Sequence, residues 1–172
     1  MKILLFIFLS ILNVSAFAAP GVVAHVNLSP AGNFQAKTDQ VIGTAVLDGD
    51  KLSAKNVKVP LAGLKTGIDL RDKHMKDKYL EVEKYPEAEL IEASGSDGNG
   101  KGRLKIRGIE KEIAGTYRIV NDKEVEVKFP LKLSDYGITG IRYLGVGVKD
   151  ETQVTVTLPV SKATTPTAPA KR

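Results

Sequence analysis

Apolar and polar residues alternate at period two through most of this chain, and the alternation is clearest in residues 124–133. One face of this segment carries only apolar side chains, namely Val125, Val127, Phe129, Leu131 and Leu133. Most positions on the opposite face are charged. Such alternation is typical of a strand with one buried face. It favours a β fold over a helical one.

The same pattern recurs along the chain, in residues 57–61, 103–107 and 154–160. Turn sequences rich in Gly, Asp and Asn separate these runs, at residues 47–50, 94–100 and 120–123. Seven or eight strands joined by short turns predict an all-β antiparallel sandwich or barrel. Pro60, Pro130 and Pro159 lie inside apolar strand patterns, and proline lacks the N–H that a ladder needs. We therefore expect each of them at a bulge or where strand pairing lapses.

Residues 69–80 break the alternation, because they contain good helix formers and almost no β-branched side chains. Asp69 is placed to cap the N-terminus of a helix, and Asp72 would lie in its first turn. The Tyr85-Pro86 pair favours extended backbone and marks the return to strand. The segment predicts one short helix that crosses between two strands of the β domain.

The first 18 residues have the order of features found in a secretory signal peptide. A positive start at Lys2 is followed by ten apolar-rich residues, 3–12, and by the small-x-small sequence Ala16-Phe17-Ala18. We expect an exported protein, periplasmic or secreted, with a domain at residues 19–161. Residues 162–172 are rich in Pro, Thr and Ala without apolar periodicity, which predicts a disordered tail.

Composition and motif searches exclude several functions. The chain has no Cys, which excludes disulfides, thiolate metal sites and cysteine nucleophiles. Its net charge of +5 is too small to indicate a nucleic-acid partner. Residues 95–101 match the start of a phosphate-binding loop, but Gly102 replaces the required Ser or Thr and a strand follows, so we interpret them as a hairpin turn. Two His are too few for a histidine-rich zinc site unless carboxylates complete it. No G-x-S-x-G sequence occurs and no pair of acids stands out, so the sequence predicts no metal site, no catalytic residues, no cofactor and no enzymatic activity.

Four cations occupy one face of a single predicted strand, at Lys101, Arg103, Lys105 and Arg107. They are typical of a solvated face balanced by acids on adjacent strands, such as Glu124 and Glu126. The alternative is a surface for an anionic lipid head group or for peripheral contact with a membrane.

Three blocks of the sequence match a known pattern. Residues 61–75 and 79–86 carry it most specifically, at Leu64, Thr66, Gly67, Arg71, Asp72, His74, Tyr85 and Pro86. Residues 102–111 and 133–138 supply the second and third blocks, with Tyr136 where the pattern has Phe. Together the blocks resemble the signature of the YceI-like family.

This resemblance implies an extended, eight-stranded antiparallel lipocalin-like barrel with one short helix crossing one end. The lumen of such a barrel binds a polyisoprenoid or another long-chain lipid, and an isoprenoid quinone is one candidate. The implied ligand-binding residues on the strand pattern are Val125, Val127, Phe129 and Leu131. Three of the five Phe lie in the predicted signal peptide, which leaves only Phe34 and Phe129 in the domain. A barrel interior made mostly of aliphatic side chains, with few bulky aromatic ones, leaves room for a ligand.

Arg71, Asp72 and His74 admit two interpretations. In the first interpretation, they line the mouth of the barrel and contact a ligand head group, with Arg71 as the anion partner. Alternatively, they fix the helix across the barrel end through hydrogen bonds.

Three functions from different classes remain open at this stage. The leading one is a non-enzymatic lipid carrier. The second is an envelope stress or interaction protein whose filled barrel serves as a scaffold. The third, and least favoured, is an enzyme acting on a lipid diphosphate. The oligomeric state also stays open, with a homodimer as one option.

Overall fold

The computed structural model of the protein describes residues 20–143 and 145–163. The predicted signal peptide lies outside these residues, and so does the predicted tail from residue 164 onward. Within the described part of the chain there are ten strands. They are β1 (Gly21–Ser29), β2 (Asn33–Thr38), β3 (Ala45–Asp48), β4 (Lys51–Pro60), β5 (Glu87–Ser96), β6 (Asn99–Ile106), β7 (Ile109–Asn121), β8 (Glu124–Lys132), β9 (Arg142–Tyr143) and β10 (Val146–Lys162).

Seven of the strands, β3 to β8 and β10, form a closed barrel. The circuit closes where β10 pairs with β8, with Val154 opposite Phe129. The expectation of eight antiparallel strands is therefore wrong in two respects, the number of strands in the closed circuit and the direction of one pair. Strand β3 pairs with the end of β10 in parallel, Val160 opposite Ala45.

The length of β10 explains this difference. Its 17 residues offer one edge to two partners in succession. Strand β1 pairs antiparallel with the first part of this edge, as far as Gly21 opposite Thr157. Strand β3 then pairs in parallel with its last residues, from Val160 onward. Strand β2 pairs with β1, and backbone bridges from Lys37 to Lys65 and from Ile42 to Lys58 connect this outer pair back to the wall.

Each of the three prolines pairs on one edge of its strand and has no ladder partner on the other edge, so pairing lapses there on one side only. Pro60 is the last residue of β4. Pro130 pairs with β10 but lies beyond Lys128, the last β8 residue that pairs with β7. Pro159 falls in the gap between the β1 and β3 segments of the β10 edge. The edge without a partner is the position that proline favours in a sheet, because it has no N–H to donate.

The predicted helix is present, in two parts. The α-helix α1 spans Asp69–His74, and a π-helix follows it over Met75–Leu80. Ile68 rather than Asp69 occupies the N-cap position, so Asp69 begins the helix and places its charge in the first turn. Tyr79 and Leu80 pack against the barrel core. Among the described residues, no helix has the length and apolar character to cross a membrane.

Residues 95–101 form a hairpin, as predicted, rather than a phosphate-binding loop. Strands β5 and β6 are joined by Asp97 and Gly98 alone, with φ values of 51° and 78°. Positive φ at both positions is typical of a type I′ turn, which glycine favours at the second position. The hairpin marks the end of the barrel opposite to α1.

Candidate functional site: an apolar cavity through the barrel

The barrel encloses a cavity of about 670 Å³. Its lining reaches from α1 and the β9–β10 region, represented by Leu70 and Val146, to the β5–β6 hairpin, represented by Gly95 and Gly100. Side chains of Val, Leu, Ile and Ala from the inward faces of the strands supply most of the wall. Protein pockets that bind small molecules typically measure roughly 300–1,000 Å³. The site is therefore large enough for a ligand and mostly apolar.

Small residues at inward strand positions leave this space open. Gly95, Gly100 and Gly115 lie directly opposite one another on β5, β6 and β7, and all three line the cavity. In the sequence, Gly95 and Gly100 were interpreted only as part of a turn. The period-two spacing could have shown that Gly100 lines the lumen, because Gly100 and Gly102 lie on the same face of β6 as Leu104 and Ile106.

Five of the seven sequence-predicted ligand residues line the cavity: Arg71, His74, Val127, Phe129 and Leu131. Val125 and Asp72 are not among the lining residues. Val125 is fully buried in a cluster with Leu52 and Leu158, and it supports the wall from within the core.

Arg71 and Asp72 hold Thr66, in the loop that precedes α1. The Thr66 N–H donates to Asp72 Oδ1 at 2.7 Å, and the Thr66 hydroxyl donates to the same oxygen. Arg71 Nε donates to Thr66 Oγ1 and Arg71 Nη2 donates to the Thr66 carbonyl, each at 2.8 Å. The guanidinium also stacks on Phe34 of β2, 4.1 Å from the ring centre. These contacts support the interpretation that the motif fixes the helix across the barrel end.

The hydrogen bonds from Thr66 also set the charge of Asp72. Burial raises the pKa of this carboxyl, but the hydroxyl and backbone donors of Thr66 outweigh that effect and hold the pKa below its usual range. The carboxylate is thus ionised at neutral pH, the form that accepts both hydrogen bonds.

Three of the four cations at β6 form ion pairs with nearby acids. Arg103 lies 3.2 Å from Glu92 of β5 and 3.8 Å from Glu110 of β7. Lys105 lies 3.9 Å from Glu110, and Arg107 forms an ion pair with Glu81. Arg103 and Lys105 therefore lie on the solvated, acid-balanced face that the sequence predicts, whereas Arg107 is only 17% exposed and Lys101 lines the cavity. The balancing acids also differ from those expected. Glu124 and Glu126 are not the balancing acids, because β8 does not neighbour β6.

Within residues 20–143 and 145–163, no three His, Asp or Glu side chains come together in a group that could hold a metal ion. His25 and His74 lie on different elements, β1 and α1. What the cavity offers chemically is apolar surface with a small number of polar groups, which suits binding of an amphiphile.

Comparisons with known proteins agree with this geometry. A family model described as a YceI-like domain matches residues 15–160. A polyisoprenoid binding domain from Saccharophagus degradans, implicated in plant cell wall breakdown, has a similar structure, with a TM-score of 0.57 and 14% sequence identity over 81% of this chain and 91% of that chain. The YceI protein of Campylobacter jejuni has a TM-score of 0.54 and 18% identity over 74% of this chain and 84% of that chain.

No curated protein matches the chain significantly. The structural similarities lie below 25% identity and show a shared fold. The match to the family model shows more than a shared fold, because it spans well over half of the chain and includes all three sequence blocks. It confirms the resemblance inferred from those blocks: this chain belongs to the YceI-like family.

Proposed function

We propose that the protein is a non-enzymatic carrier that sequesters a polyisoprenoid or another long-chain lipid in the barrel lumen. The observation that carries this proposal is the continuous apolar cavity of about 670 Å³. A lumen filled with side chains would instead have favoured the scaffold function. The polyisoprenoid-binding domain with a similar fold supports the lipid class, and an isoprenoid quinone is one candidate within it.

Burial of the lipid chain supplies the free energy for such binding. A water molecule occupies about 30 Å³ of liquid, and a methylene is of similar size, so the cavity of about 670 Å³ has room for roughly twenty methylenes. Burying fifteen to twenty carbons yields a gross free energy of ~12–16 kcal/mol at ~0.8 kcal/mol per CH₂. The loss of translational and rotational freedom on association costs ~4–15 kcal/mol. The affinity therefore depends on how fully the barrel encloses the lipid chain.

Extraction of the natively purified protein tests this function. We expect organic solvent to release a long-chain isoprenoid or lipid that mass spectrometry detects in an amount comparable to the protein. We also expect delipidated protein to take up a fluorescent isoprenoid. Repeated absence of any lipid, together with no uptake of the probe, would rule the carrier out.

We also propose that the protein is exported and that the α1 end of the barrel contacts a membrane. Export is inferred from residues 1–18. The cavity lining at the α1 end includes Ile68, Leu70 and Val146, which are 54%, 51% and 38% exposed. In α1 itself, the acids Asp69 and Asp72 balance the cations Arg71 and Lys73. Half-exposed apolar side chains at the cavity mouth therefore carry the proposal, because they can insert into a bilayer surface from which a lipid enters the lumen directly.

The double variant Ile68→Ser/Leu70→Ser is expected to bind vesicles of phosphatidylglycerol roughly thirtyfold more weakly. The reason is the loss of two half-exposed side chains, each contributing about 1 kcal/mol when inserted. Vesicle co-sedimentation measures the effect. Ile42→Ser/Ile119→Ser is the matched control, since these residues are 55% and 42% exposed and do not line the cavity. Equal losses in both double variants would contradict contact through the α1 end.

A further inference from the structure

Residues 69–80, which form α1 and the π-helix, cover the cavity but are packed loosely. Their side chains that line the cavity are Leu70, Arg71, His74, Met75, Tyr79 and Leu80. No residue of this segment is buried, whereas the strands of the barrel contribute buried core residues such as Phe129 and Val154. Segments with few buried contacts open at a lower free energy than core strands do. This segment is therefore the part of the cavity wall that moves most easily.

The second half of the segment has an unusual backbone. The π-helix from Met75 to Leu80 ends at Glu81, whose φ of 50° lies in the left-handed region. Helices of the π type are rare and occur frequently at functional sites. A residue other than glycine adopts the left-handed region at a cost, and it persists there when surrounding contacts hold it. Glu81 is therefore a position where a contact from outside the helix is expected.

That contact is an ion pair between Glu81 and Arg107, which lies in the turn between β6 and β7. Arg107 Nη1 also donates to the Gly137 carbonyl at 2.6 Å, so the guanidinium is fixed to the barrel. Arg107 Nε, however, is buried and has no hydrogen-bond partner within residues 20–143 and 145–163. A buried donor without a partner costs free energy, which water recovers when Glu81 moves away. The ion pair thus holds the π-helix in place and can still be broken.

The opposite end of the segment is attached more firmly. Asp72 and Arg71 both hydrogen-bond to Thr66, at the start of α1. The neighbouring Lys65 exchanges two backbone hydrogen bonds of 2.8 Å with Lys37 of β2. The start of α1 is therefore joined to the sheet by backbone as well as side-chain contacts, and it is the natural pivot for a motion of the π-helix.

We propose that residues 69–80 form a lid over the lumen and that the Glu81–Arg107 ion pair is its latch. The lid pivots at the Thr66 end and lifts the π-helix, which moves Tyr79 and Leu80 away from the cavity. A lipid passes between the lid and the strands, and the latch then closes again. This inference rests on the proposed carrier function and adds that the latch sets the rate of lipid exchange.

A latch has a kinetic signature that a direct ligand contact lacks. If the lid opens before the lipid enters or leaves, a weaker latch increases the open population and raises both rates by the same factor. Their ratio, Kd, then stays the same as long as the closed form dominates. Loss of a contact with the lipid itself would raise the dissociation rate alone.

The test variant is Glu81→Gln, which keeps the shape of the side chain and removes its charge. Glu83→Gln is the matched control, because Glu83 is exposed and lies two residues further along. Stopped-flow fluorescence measures binding and release of a fluorescent isoprenoid by delipidated protein. We expect Glu81→Gln to accelerate both rates roughly five- to tenfold, since a charge-assisted hydrogen bond is weakened, and to change Kd less than twofold. Glu83→Gln should leave both rates unchanged.

The outcomes separate the latch from the carrier function. Acceleration of dissociation alone, equal effects of the two variants, or no effect of either would overturn the latch. If the wild type took up no probe, the carrier function would fail, and the lid would still be decided by a measurement without ligand.

That measurement is hydrogen exchange of the ligand-free protein. Amides of residues 75–80 should exchange faster than those of β8, and Glu81→Gln should accelerate them a further five- to tenfold while leaving β8 unchanged. Exchange in residues 75–80 as slow as in β8 of the wild type would overturn the lid, whatever the stability of the variant. Equal acceleration of both regions would show a loss of overall stability and would overturn the latch.

Discussion

Val127→Trp is expected to weaken binding of a long-chain lipid more than a hundredfold. Val127 lines the cavity on β8, between Tyr117 of β7 and Val156 of β10, all of which line it as well. An indole placed there would displace about four or five methylenes of the ligand. At ~0.8 kcal/mol per methylene, the loss is about 3–4 kcal/mol, which is more than two orders of magnitude in Kd.

The measurement is uptake of a fluorescent isoprenoid by delipidated protein, with circular dichroism to confirm the fold. The wild-type chain has no Trp, so the new indole also reports on the lumen through its own emission. Lys128→Trp is the matched control, because that side chain is 57% exposed on the outer face of the same strand. If Val127→Trp bound lipid as tightly as Lys128→Trp, the ligand could not occupy this part of the lumen.

Local patterns were sufficient to predict much of the fold. The period-two alternation in residues 124–133 correctly predicted that Phe129 and Leu131 face inward while Lys128 and Lys132 face solvent. The helix in residues 69–80 followed from a local excess of helix formers. Such features depend on side chains a few residues apart, which a single sequence displays directly.

Closure of the barrel could not be predicted in the same way. Whether β10 meets β3 in parallel depends on how much of its edge β1 has already covered, and no short window of sequence contains that information. The role of Asp72 was similarly hidden. Its partner Thr66 lies six residues away, and the contact forms because the loop folds back over the start of α1. The motif was recognised, but its geometry decided that Asp72 holds the loop rather than lining the cavity.

Gly115, at the hairpin end of β7, affects both the closure of the barrel and the volume of its lumen. Strand β7 pairs with β6 through residues 109–116 and with β8 from Thr116 onward, so it changes partner at Gly115–Thr116. A strand that turns such a corner brings its backbone close to the next strand. A Cβ atom on Gly115 would lie 2.2 Å from the Lys128 carbonyl oxygen and 2.8 Å from Phe129 Cβ. Closing the circuit and keeping the lumen open thus depend on the same glycine.

Gly115→Ala is accordingly expected to lower the free energy of unfolding by at least about 2 kcal/mol, because β7 and β8 must separate to admit the methyl group. In a domain of this size the melting temperature should fall by roughly 4–8 °C. Urea unfolding followed by circular dichroism measures the change. Gly147→Ala on β10 is the control, since the nearest atom to its added Cβ is 3.7 Å away and its unfolding free energy should change little. Equal stability of the two variants would show that β7 does not approach β8 this closely.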